Sequence, residues 1–510
     1  MGKASRNKRE NQELRRLEAD KKQKEAAKAK KKSIRNKIIG AVCVLLIIVL
    51  VGTVVAYTRM TDGGYFLRNT VSLTSENYEM DNALVSYHFN NQYQNFLSAY
   101  GNSLSYFGID PSKSLKQQPC PLYEDGRTWY SFFMDAAVQE MTNVLIFCEE
   151  ANARGITLTE SDYDVIDDYI ESIKEQAKAN GVSKEYYITA MFGKGVKEKD
   201  VRRAMEQALL YSACHSEIVD GYTYTDAEYD AYVKENPNKL LHATYAIMNL
   251  TLTDGMVEGD ITLEMLKEFE TKFQAVNTKE AFDEVAYDYL KNYAYKNYTD
   301  KTDDGIREEI AEKLVEDGIY TETDAFMKWA IEDSRKAGDV YTAWNEEETA
   351  LTVGILLKPA ALLTYDTVNV RHILLTADTY GSDEAAEAKA EEILAQWKAG
   401  EATAASFGAL AEQYSEDGAE NGLYENVMKS EMVDEFNDWI FEEDRKAGDT
   451  GIVKTQYGYH VMYLDGFGMT AWQREAKDIL SEEAYEKDYE ALKEKYPVEV
   501  DQVALALLDV

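Results

Sequence analysis

The sequence predicts a multidomain fold in which a single transmembrane helix is followed by an all-α domain, two related α+β domains and a C-terminal helix. The length of 510 residues suggests about three folded units. An uncharged apolar run fills residues 38–57. Residues 326–340 and 436–450 are identical at eight of fifteen positions, which indicates an internal repeat. The predicted segments are 1–37, 38–57, 58–240, 241–362, 363–468 and 469–510.

The first segment, residues 1–37, is a basic tail. It carries fifteen Lys or Arg against five Asp or Glu, although the whole chain has a net charge of −37. Positive residues that precede an apolar span remain in the cytoplasm, so the tail is predicted to be cytoplasmic and the acidic remainder extracytoplasmic. Basic clusters are common beside membrane anchors, and no nucleic-acid partner is expected.

Residues 38–57 have the length, about 20 residues, that a helix needs to cross the apolar core of a bilayer. A cleaved signal peptide is the alternative, but its apolar region is usually about 7 to 15 residues long and is followed by small residues. Residues 54–59 offer a poor cleavage site, and Val42 before Cys43 argues against a lipoprotein cysteine. The chain is therefore predicted to be a single-pass protein of the cell membrane.

Residues 58–240 show the spacing of amphipathic helices. Met134, Met141 and Cys148 belong to one apolar stripe with three- and four-residue steps. Gly155 is predicted to end the helix that carries this stripe. Thr159 and Asp162 have the spacing of a capping box that starts the next helix. The Met and Tyr residues of this domain either form its core or supply an adaptable surface for unfolded chains; the sequence leaves both interpretations open.

Cysteine and histidine are too few and too scattered for a disulfide framework or a zinc site, since the chain has four Cys and five His. Cys148 on the apolar stripe is predicted to be a small core residue. No metal and no cofactor is expected.

Residues 363–468 read as a small sheet wrapped by helices. The predicted elements are a strand at 368–375, helices at 383–398 and 406–414, a turn at Gly422, a helix at 432–441, and strands near Ile452 and at 459–464.

Four stretches of this segment carry a resemblance to a known family. They are Arg371-His372-Ile-Leu, Ala411-Glu-Gln-Tyr-Ser-Glu-Asp417, Met432-Val-Asp-Glu-Phe436 and Gly458-Tyr-His460-Val-Met. In their order and amino-acid sequence they resemble the parvulin family of peptidyl-prolyl cis-trans isomerases. With the helical region before it and a helix after it, the extracytoplasmic part resembles the SurA and PrsA class of secretion foldases, in which residues 58–240 are the chaperone domain.

The resemblance implies a site of two parts. Substrate-binding residues would be Met432 and Phe436, which form the pocket for the proline ring, and Tyr424, which lines it. Catalytic residues would be His372 and His460 on neighbouring central strands, Thr455 beside them, and Asp417 facing the substrate carbonyl. Rotation about an X-Pro bond requires the loss of amide resonance rather than a nucleophile or a metal.

Two departures from the family pattern concern specificity and the site's turn. The family often has two adjacent glycines where this chain has Asn421-Gly422, a change that could displace Tyr424. Phosphate-directed parvulins carry a basic cluster after the first histidine strand, whereas residues 376–384 are acidic here. A preference for phosphoserine is therefore not expected.

The first copy of the repeat, residues 241–362, is predicted to be a degenerate parvulin-like domain. Its apolar helix keeps Phe282 and Tyr289, but counting from the aligned tryptophans puts Ala350 at the position of His460 and Glu322 at that of Met432. The strand around residues 245–248 offers no counterpart of His372. An inactive module with a spacing or peptide-binding role is expected.

Together these features predict a membrane-anchored foldase that isomerises X-Pro bonds of newly translocated, unfolded proteins outside the cytoplasm. One alternative is a holdase chaperone without isomerase activity, and another is an envelope scaffold that binds one folded partner. Retention of both histidines together with Asp417, Met432 and Phe436 favours activity. Suppression of aggregation of many unrelated proteins would separate a chaperone from a scaffold.

Overall fold

The computed structural model describes residues 45–55, 57–58, 60, 63–252, 261–296, 298 and 301–508. The predicted basic tail and the first seven residues of the predicted span, 38–44, lie outside the described residues. Residues 45–55 are helical. Among the helices of the described ranges, none combines the length and the apolarity that crossing a membrane requires.

Besides the helical residues 45–55 and a π-helical turn at Leu290–Ala294, the described regular elements include eleven strands and seventeen α-helices of four or more residues. The strands are β1 Val71–Thr74, β2 Glu79–Asp81, β3 His242–Thr251, β4 Val315–Ile319, β5 Val340–Trp344, β6 Ala350–Ala361, β7 Asp366–Leu375, β8 Leu423–Val427, β9 Thr450–Thr455, β10 Gly458–Thr470 and β11 Glu499–Val500. The helices are α1 Tyr65–Arg68, α2 Asn82–Tyr100, α3 Trp129–Arg154, α4 Glu160–Ala179, α5 Lys184–Phe192, α6 Glu198–Asp220, α7 Asp226–Glu235, α8 Leu263–Gln274, α9 Lys279–Tyr289, α10 Asp303–Lys313, α11 Ala325–Ala330, α12 Ala377–Tyr380, α13 Asp383–Ala399, α14 Ala404–Tyr414, α15 Asp434–Ile440, α16 Ala471–Lys495 and α17 Gln502–Ala506.

These elements form two compact units. The first contains the described residues up to Gly221 together with those from Tyr485 onward, and the second contains Tyr222–Ala484. The helical character predicted for the N-terminal region is confirmed. Its longest helix, α3, buries Met141 and Cys148 and ends where Gly155 adopts a left-handed conformation with φ 75°.

Local sequence explains how helix α4 starts. The backbone N–H of Thr159 donates to the Asp162 carboxylate at 2.7 Å, and the Thr159 hydroxyl accepts from the backbone N–H of Asp162 at 3.3 Å. This reciprocal pair is the predicted capping box, and it satisfies two amide groups that a helix end otherwise leaves unpaired.

The first unit also contains a small antiparallel sheet that the sequence does not predict. Its strand order is β11-β1-β2, with Leu73 opposite both Met80 and Val500. The strands have only two to four residues each, too few for a recognisable alternation of apolar and polar residues. The chain's C-terminal part is also held by Glu150, which accepts from Lys495 at 2.8 Å and from Tyr496 at 2.9 Å.

The second unit contains two four-stranded antiparallel sheets with matching order. The first copy of the repeat forms β4-β3-β6-β5 and the second forms β8-β7-β10-β9. Strand β8 is absent from the sequence-based prediction, since Glu425 and Asn426 interrupt its apolar pattern and Asn426 has a positive φ of 53°. It pairs with β7, so that β7 and β10 become the two central strands.

Helix α7 lies in the second unit, although the sequence analysis places it with the N-terminal helical region. Its Tyr229 and Tyr232 pack with Leu240 against Ala476 of helix α16. Burial of two tyrosines against this partner, which is more than 200 residues distant in sequence, determines where α7 belongs.

Candidate functional site

Two histidines meet at the centre of the second sheet. His372 on β7 lies opposite Met462 on β10, and His460 lies opposite Leu374, so the two histidines are diagonal neighbours on one face of the sheet. Their Nδ1 atoms are 3.1 Å apart. Both side chains are buried, with 3% and 5% of their surface exposed.

Thr455 completes one end of this pair. It is the last residue of β9, the edge strand beside β10, and its hydroxyl lies 2.9 Å from His460 Nε2. The same hydroxyl oxygen accepts the backbone N–H of Tyr457 at 3.1 Å. The turn between β9 and β10 thus holds the hydroxyl against the imidazole.

Asp417 lies at the other end. Its Oδ1 is 3.6 Å from His372 Nε2, longer than a hydrogen bond, so their attraction is electrostatic. The same oxygen accepts from the Tyr424 hydroxyl at 3.0 Å and from the backbone N–H of Ala419 at 3.0 Å. The contact with His372 lowers the pKa of Asp417 below its usual range despite partial burial, and burial together with the hydrogen bond to Asp417 raises the pKa of Tyr424 to about 12.

The network indicates where the imidazole protons lie when both rings are neutral. Burial, with the neighbouring His372, lowers the pKa of His460 to about 4, so His460 is neutral at pH 7. Asp417 is ionised and can only accept, so His372 carries its proton on Nε2, which faces Asp417. His460 then donates from Nδ1 to His372 and accepts from Thr455 at Nε2.

Apolar side chains form a wall over the histidines. The ring of Phe436 lies edge-on to both imidazoles, with ring centroids 5.3 Å from His372 and 5.5 Å from His460. Tyr424 lies 5.4 Å from His372, and Met432 packs half-buried in the same cluster as Phe436. The structure therefore brings all seven sequence-predicted site residues together. The two histidines, Thr455 and Asp417 form the polar part, and the side chains of Phe436, Met432 and Tyr424 form the wall that covers the histidines.

The altered glycine turn keeps Tyr424 in this arrangement. Asn421 adopts the left-handed conformation with φ 52° and ψ 21°, which asparagine tolerates better than most residues. Gly422 follows with φ 63°, and a Cβ at Gly422 would collide with the carbonyl oxygen of His372. The second glycine is thus required by the close approach of β7, whereas the first is not.

Ser415 is a site-supporting residue that the sequence analysis does not single out. Its hydroxyl accepts the backbone N–H of Leu374 on β7 at 3.1 Å and that of Asp417 at 3.2 Å. It thereby fastens the acidic turn to the strand that carries His372. Its place in the Tyr414-Ser415-Glu416-Asp417 stretch is the only sequence signal.

The first copy of the repeat has a different set of residues at the corresponding positions. Strand pairing makes Thr352, rather than Ala350, the counterpart of His460, because Leu356 in the first copy and Leu464 in the second make the same pair of backbone hydrogen bonds, to residues 338–339 and 448–449 respectively. The prediction of Ala350 is wrong because the β5–β6 hairpin is two residues longer than the β9–β10 hairpin. Six residues lie between the paired Trp344 and Leu351, whereas four lie between the equivalent pair, Lys454 and Tyr459. On the same register Ile247 corresponds to His372.

An aromatic cluster occupies the pocket side of the first sheet. Phe326, the counterpart of Phe436, is buried against Tyr245 with ring centroids 4.2 Å apart, and it lies against Gly354, which corresponds to Met462. The Tyr245 hydroxyl donates to Glu316 at 3.1 Å. Aromatic packing therefore replaces the histidine network in this copy.

Within the described part of the chain, no group of His, Cys, Asp and Glu side chains is arranged to hold a metal ion. The arrangement of the site suits a reaction that needs an apolar pocket and fixed polar groups.

Comparison with known proteins places the same residues in a named domain. The family model described as the PPIC-type PPIASE domain matches residues 359–466, a range that contains all seven predicted site residues. The peptidyl-prolyl cis-trans isomerase pin4 of Neurospora crassa is 36% identical over 103 residues, which cover 19% of this chain and 69% of that protein.

Similarity over a longer range is weaker. The chaperone SurA of Pseudomonas putida is 22% identical over 351 residues, covering 62% of this chain and 73% of that protein. Among solved structures, the peptidylprolyl isomerase PrsA of Bacillus cereus is 17% identical with a TM-score of 0.18, covering 61% of this chain and 92% of that chain.

Proposed function

Because this chain belongs to the parvulin family of peptidyl-prolyl cis-trans isomerases, we propose that it is a membrane-anchored foldase that isomerises X-Pro bonds of unfolded proteins outside the cytoplasm. Isomerase activity accords with the PPIC-type domain and with similarity to pin4. The similarity to SurA supports a chaperone role for the same protein. The observation that carries the proposal is the apolar wall of Phe436 and Met432 over the buried histidine pair.

The pocket acts on a barrier of about 18 to 20 kcal/mol, which arises because rotation breaks amide resonance. Phe436 and Met432 hold the proline ring, and Tyr424 closes one side. Gripping the ring while the preceding carbonyl turns stabilises a twisted amide better than a planar one, which is the requirement for catalysis. Exclusion of water from the apolar pocket strengthens the polar interactions around the amide.

Asp417 has the exposure needed to act on the substrate, since 24% of its side chain is accessible. Resonance in a planar amide places negative charge on the carbonyl oxygen, and that charge falls when the bond twists. A carboxylate facing this oxygen therefore disfavours the planar form more than the twisted form. His372 and His460, both buried, position Asp417 and the pocket floor rather than touch the substrate.

The first unit supplies the surface for unfolded segments. Met134 and Met141 are buried, so methionines of the main stripe form core rather than surface. Several tyrosines of this unit are instead exposed, namely Tyr100, Tyr106, Tyr163, Tyr169 and Tyr186. Tyrosine offers a large apolar ring with a polar tip, which suits weak binding to many different chains.

The proposed location follows from the first 57 residues. The apolar run 38–57 has the length of a transmembrane helix, and the basic tail before it favours a cytoplasmic N-terminus. Digestion of intact protoplasts by an added protease tests this topology. The bulk of the chain should be degraded while an epitope tag at the N-terminus survives with a membrane-bound fragment; survival of the whole chain would contradict the proposal.

The isomerase site is tested with the full chain and an Ala-Pro test peptide. Phe436→Ala should reduce kcat/KM at least about tenfold, equivalent to about 1.4 kcal/mol of transition-state stabilisation. Phe326→Ala, the same substitution at the matching position of the first copy, should leave kcat/KM unchanged. Equal loss in both variants, or none in either, would place the site elsewhere, and a folded wild-type chain without activity would favour the holdase.

A further inference from the structure

The segment that follows the apolar run is fastened to the first unit by a buried ion pair. Arg68 on α1 donates from Nε to Asp200 Oδ1 at 2.9 Å, and the Asp200 side chain is fully buried. Arg68 also donates to the carbonyl oxygens of Gly63 at 2.6 Å and Gly195 at 2.9 Å. We call this set of contacts the Arg68 clamp.

The Arg68 clamp is close-fitting at the backbone level. Gly64 and Gly195 both have positive φ, 68° and 94°, and a Cβ on Gly64 would collide with the carbonyl of Gly195. Leu67 also lies against Gly195. The loop between α5 and α6 and the segment after the predicted span therefore form one rigid corner of the first unit.

That corner lies near the end of the predicted membrane span. Gly63, where the clamp begins, comes six positions after Tyr57, where the apolar run ends, and six such steps reach at most about 20 Å. The Tyr57 ring is also 5.8 Å from the Phe66 ring, measured between centroids. An anchored chain would therefore present this corner to the bilayer surface.

The chemistry of the corner differs from that of the rest of the protein. Residues 184–203 contain six Lys or Arg and three Asp or Glu, in a chain whose net charge is −37. Lys197 and Lys199 are exposed. Of the three acidic residues, Asp200 is held by Arg68, and Glu198 accepts from Lys184 at 2.6 Å and Arg202 at 3.1 Å. The third, Glu185, is exposed.

Exposed aromatic rings complete the corner. Tyr65 and Phe66 on α1 have 50% and 43% of their surface exposed, and their ring centroids are 5.6 Å apart. Aromatic rings collect at the headgroup level of bilayers, and lysines beside a span are attracted to anionic lipid. A corner that presents both groups at the end of an apolar run fits a bilayer surface with negative charge.

We propose that Tyr65, Phe66, Lys197 and Lys199 form a membrane-contact face that rests on anionic lipid headgroups and, through the Arg68 clamp, holds the first unit in one orientation on the bilayer. This inference rests on the membrane anchorage in the proposed function. The first unit would then contact the bilayer surface in a fixed orientation, rather than being connected to it only by a flexible linker.

Lysine acetylation of the full chain, read residue by residue by mass spectrometry, tests the membrane-contact face. The chain is reconstituted in vesicles of phosphatidylcholine alone or of equimolar phosphatidylcholine and phosphatidylglycerol. Lys197 and Lys199 should react at least about fivefold more slowly in the anionic vesicles, and high salt should remove the difference because it screens the attraction.

Lys495 is the internal reference, because it should react equally in both vesicles. It binds Glu150, which together with Glu217 binds Arg154, and Glu217 lies seventeen residues beyond Asp200 in helix α6, about 25 Å away. The variant Tyr65→Ser/Phe66→Ser should lose most of the protection at the two lysines. Leu122→Ser/Leu507→Ser, which removes two other exposed apolar side chains of the unit, should keep it.

Vesicle flotation separates the ways in which the inference can fail. A chain that does not float with either kind of vesicle lacks the anchorage, which would refute both the proposed membrane anchorage and the membrane-contact face. A chain that floats while Lys197 and Lys199 react equally in both vesicles refutes the membrane-contact face and leaves the anchorage intact. Protection of Lys495 to the same extent would show a general charge effect and would also overturn the inference.

Discussion

His372 and His460 face each other across the two central strands of the second sheet, with 3.1 Å between their Nδ1 atoms. Thr455 and Asp417 hold the outer nitrogens of the pair, at 2.9 Å and 3.6 Å. Three of the four groups are buried, and only Asp417 reaches the surface. A change at the Thr455 end therefore reaches the substrate through the orientation of the two rings.

Replacement of Thr455 by Val tests this dependence. The variant leaves His460 Nε2 without its hydroxyl partner in a buried site, which typically costs about 1 to 3 kcal/mol. We expect kcat/KM on an Ala-Pro peptide to fall about tenfold. Thr455→Ser, which keeps the hydroxyl, should retain most of the activity; equal loss in the Val and Ser variants would show that the methyl group matters instead.

The buried His460 predicts acid sensitivity of the second sheet. Its folded pKa of about 4 lies below the value of about 6.5 in an unfolded chain, so the unfolded state binds more protons between these values. The contribution of neutral His460 to the free energy of unfolding should be fully present above about pH 6.5. It should decrease as the pH drops toward 4, by up to about 3 kcal/mol. Hydrogen exchange of β7 and β10, corrected for intrinsic rates, measures this change.

Asp417 acts in the same direction at lower pH. Its folded pKa lies below the usual 3.8, so its stabilising contribution is present above that value and is lost as the pH falls further.

The variant His460→Gln should flatten the pH dependence of the second sheet's stability between pH 6.5 and 4, whereas His215→Gln in the first unit should not. An unchanged slope in His460→Gln would assign the sensitivity to another group.

The turn before β8 predicts opposite responses at neighbouring positions. Gly422→Ala should destabilise the domain by more than about 2 kcal/mol and should abolish activity, because its Cβ collides with the His372 carbonyl and φ is 63°. Asn421→Gly should be nearly neutral, since the backbone conformation there is already left-handed. Denaturant unfolding of both variants measures the contrast; tolerance of Ala at 422 would contradict it.

The acidic surroundings of the site predict discrimination against phosphorylated substrates. Asp378 and Glu384 are exposed on helices α12 and α13, which follow the His372 strand. We expect kcat/KM for phosphoserine-Pro peptides to be at least about tenfold below that for Ala-Pro peptides at low salt, with a smaller gap at high salt. Asp378→Lys/Glu384→Lys should narrow the gap, and a wild-type preference for the phosphopeptide would refute the expectation.

Much of the second copy of the repeat is predictable from local patterns. The strand around His372, the helix with Phe407, Leu410 and Ala411 on one face, and the pocket helix that carries Phe436 all have periodicity that appears within about ten residues. The structure brings the seven predicted site residues together because these elements pack in the predicted order. Their chemical roles remain predictions that the variants above test.

Other features depend on partners far away in sequence. Strand β8 is defined by its pairing with β7, and the sheet of the first unit joins Leu73 to Val500. Helix α7 belongs to the second unit because it packs against Ala476. None has a local pattern strong enough to reveal it. The error at Ala350 has a similar origin, because a two-residue difference in hairpin length changes the register without changing the flanking motifs.

By itself the sequence determined the repeat and the apolar run with its basic flank, because these are properties of spacing and composition. The seven residues predicted for the site were also available from the sequence, through its resemblance to the parvulins. Only the tertiary structure decided the direction of the hydrogen bonds from Thr455 through His460 to His372, the filling of the first copy's pocket by Phe326 and Tyr245, and the Arg68 clamp on Asp200. Each depends on atoms brought within a few ångströms by the packing of distant segments, and no local pattern of residues encodes that distance.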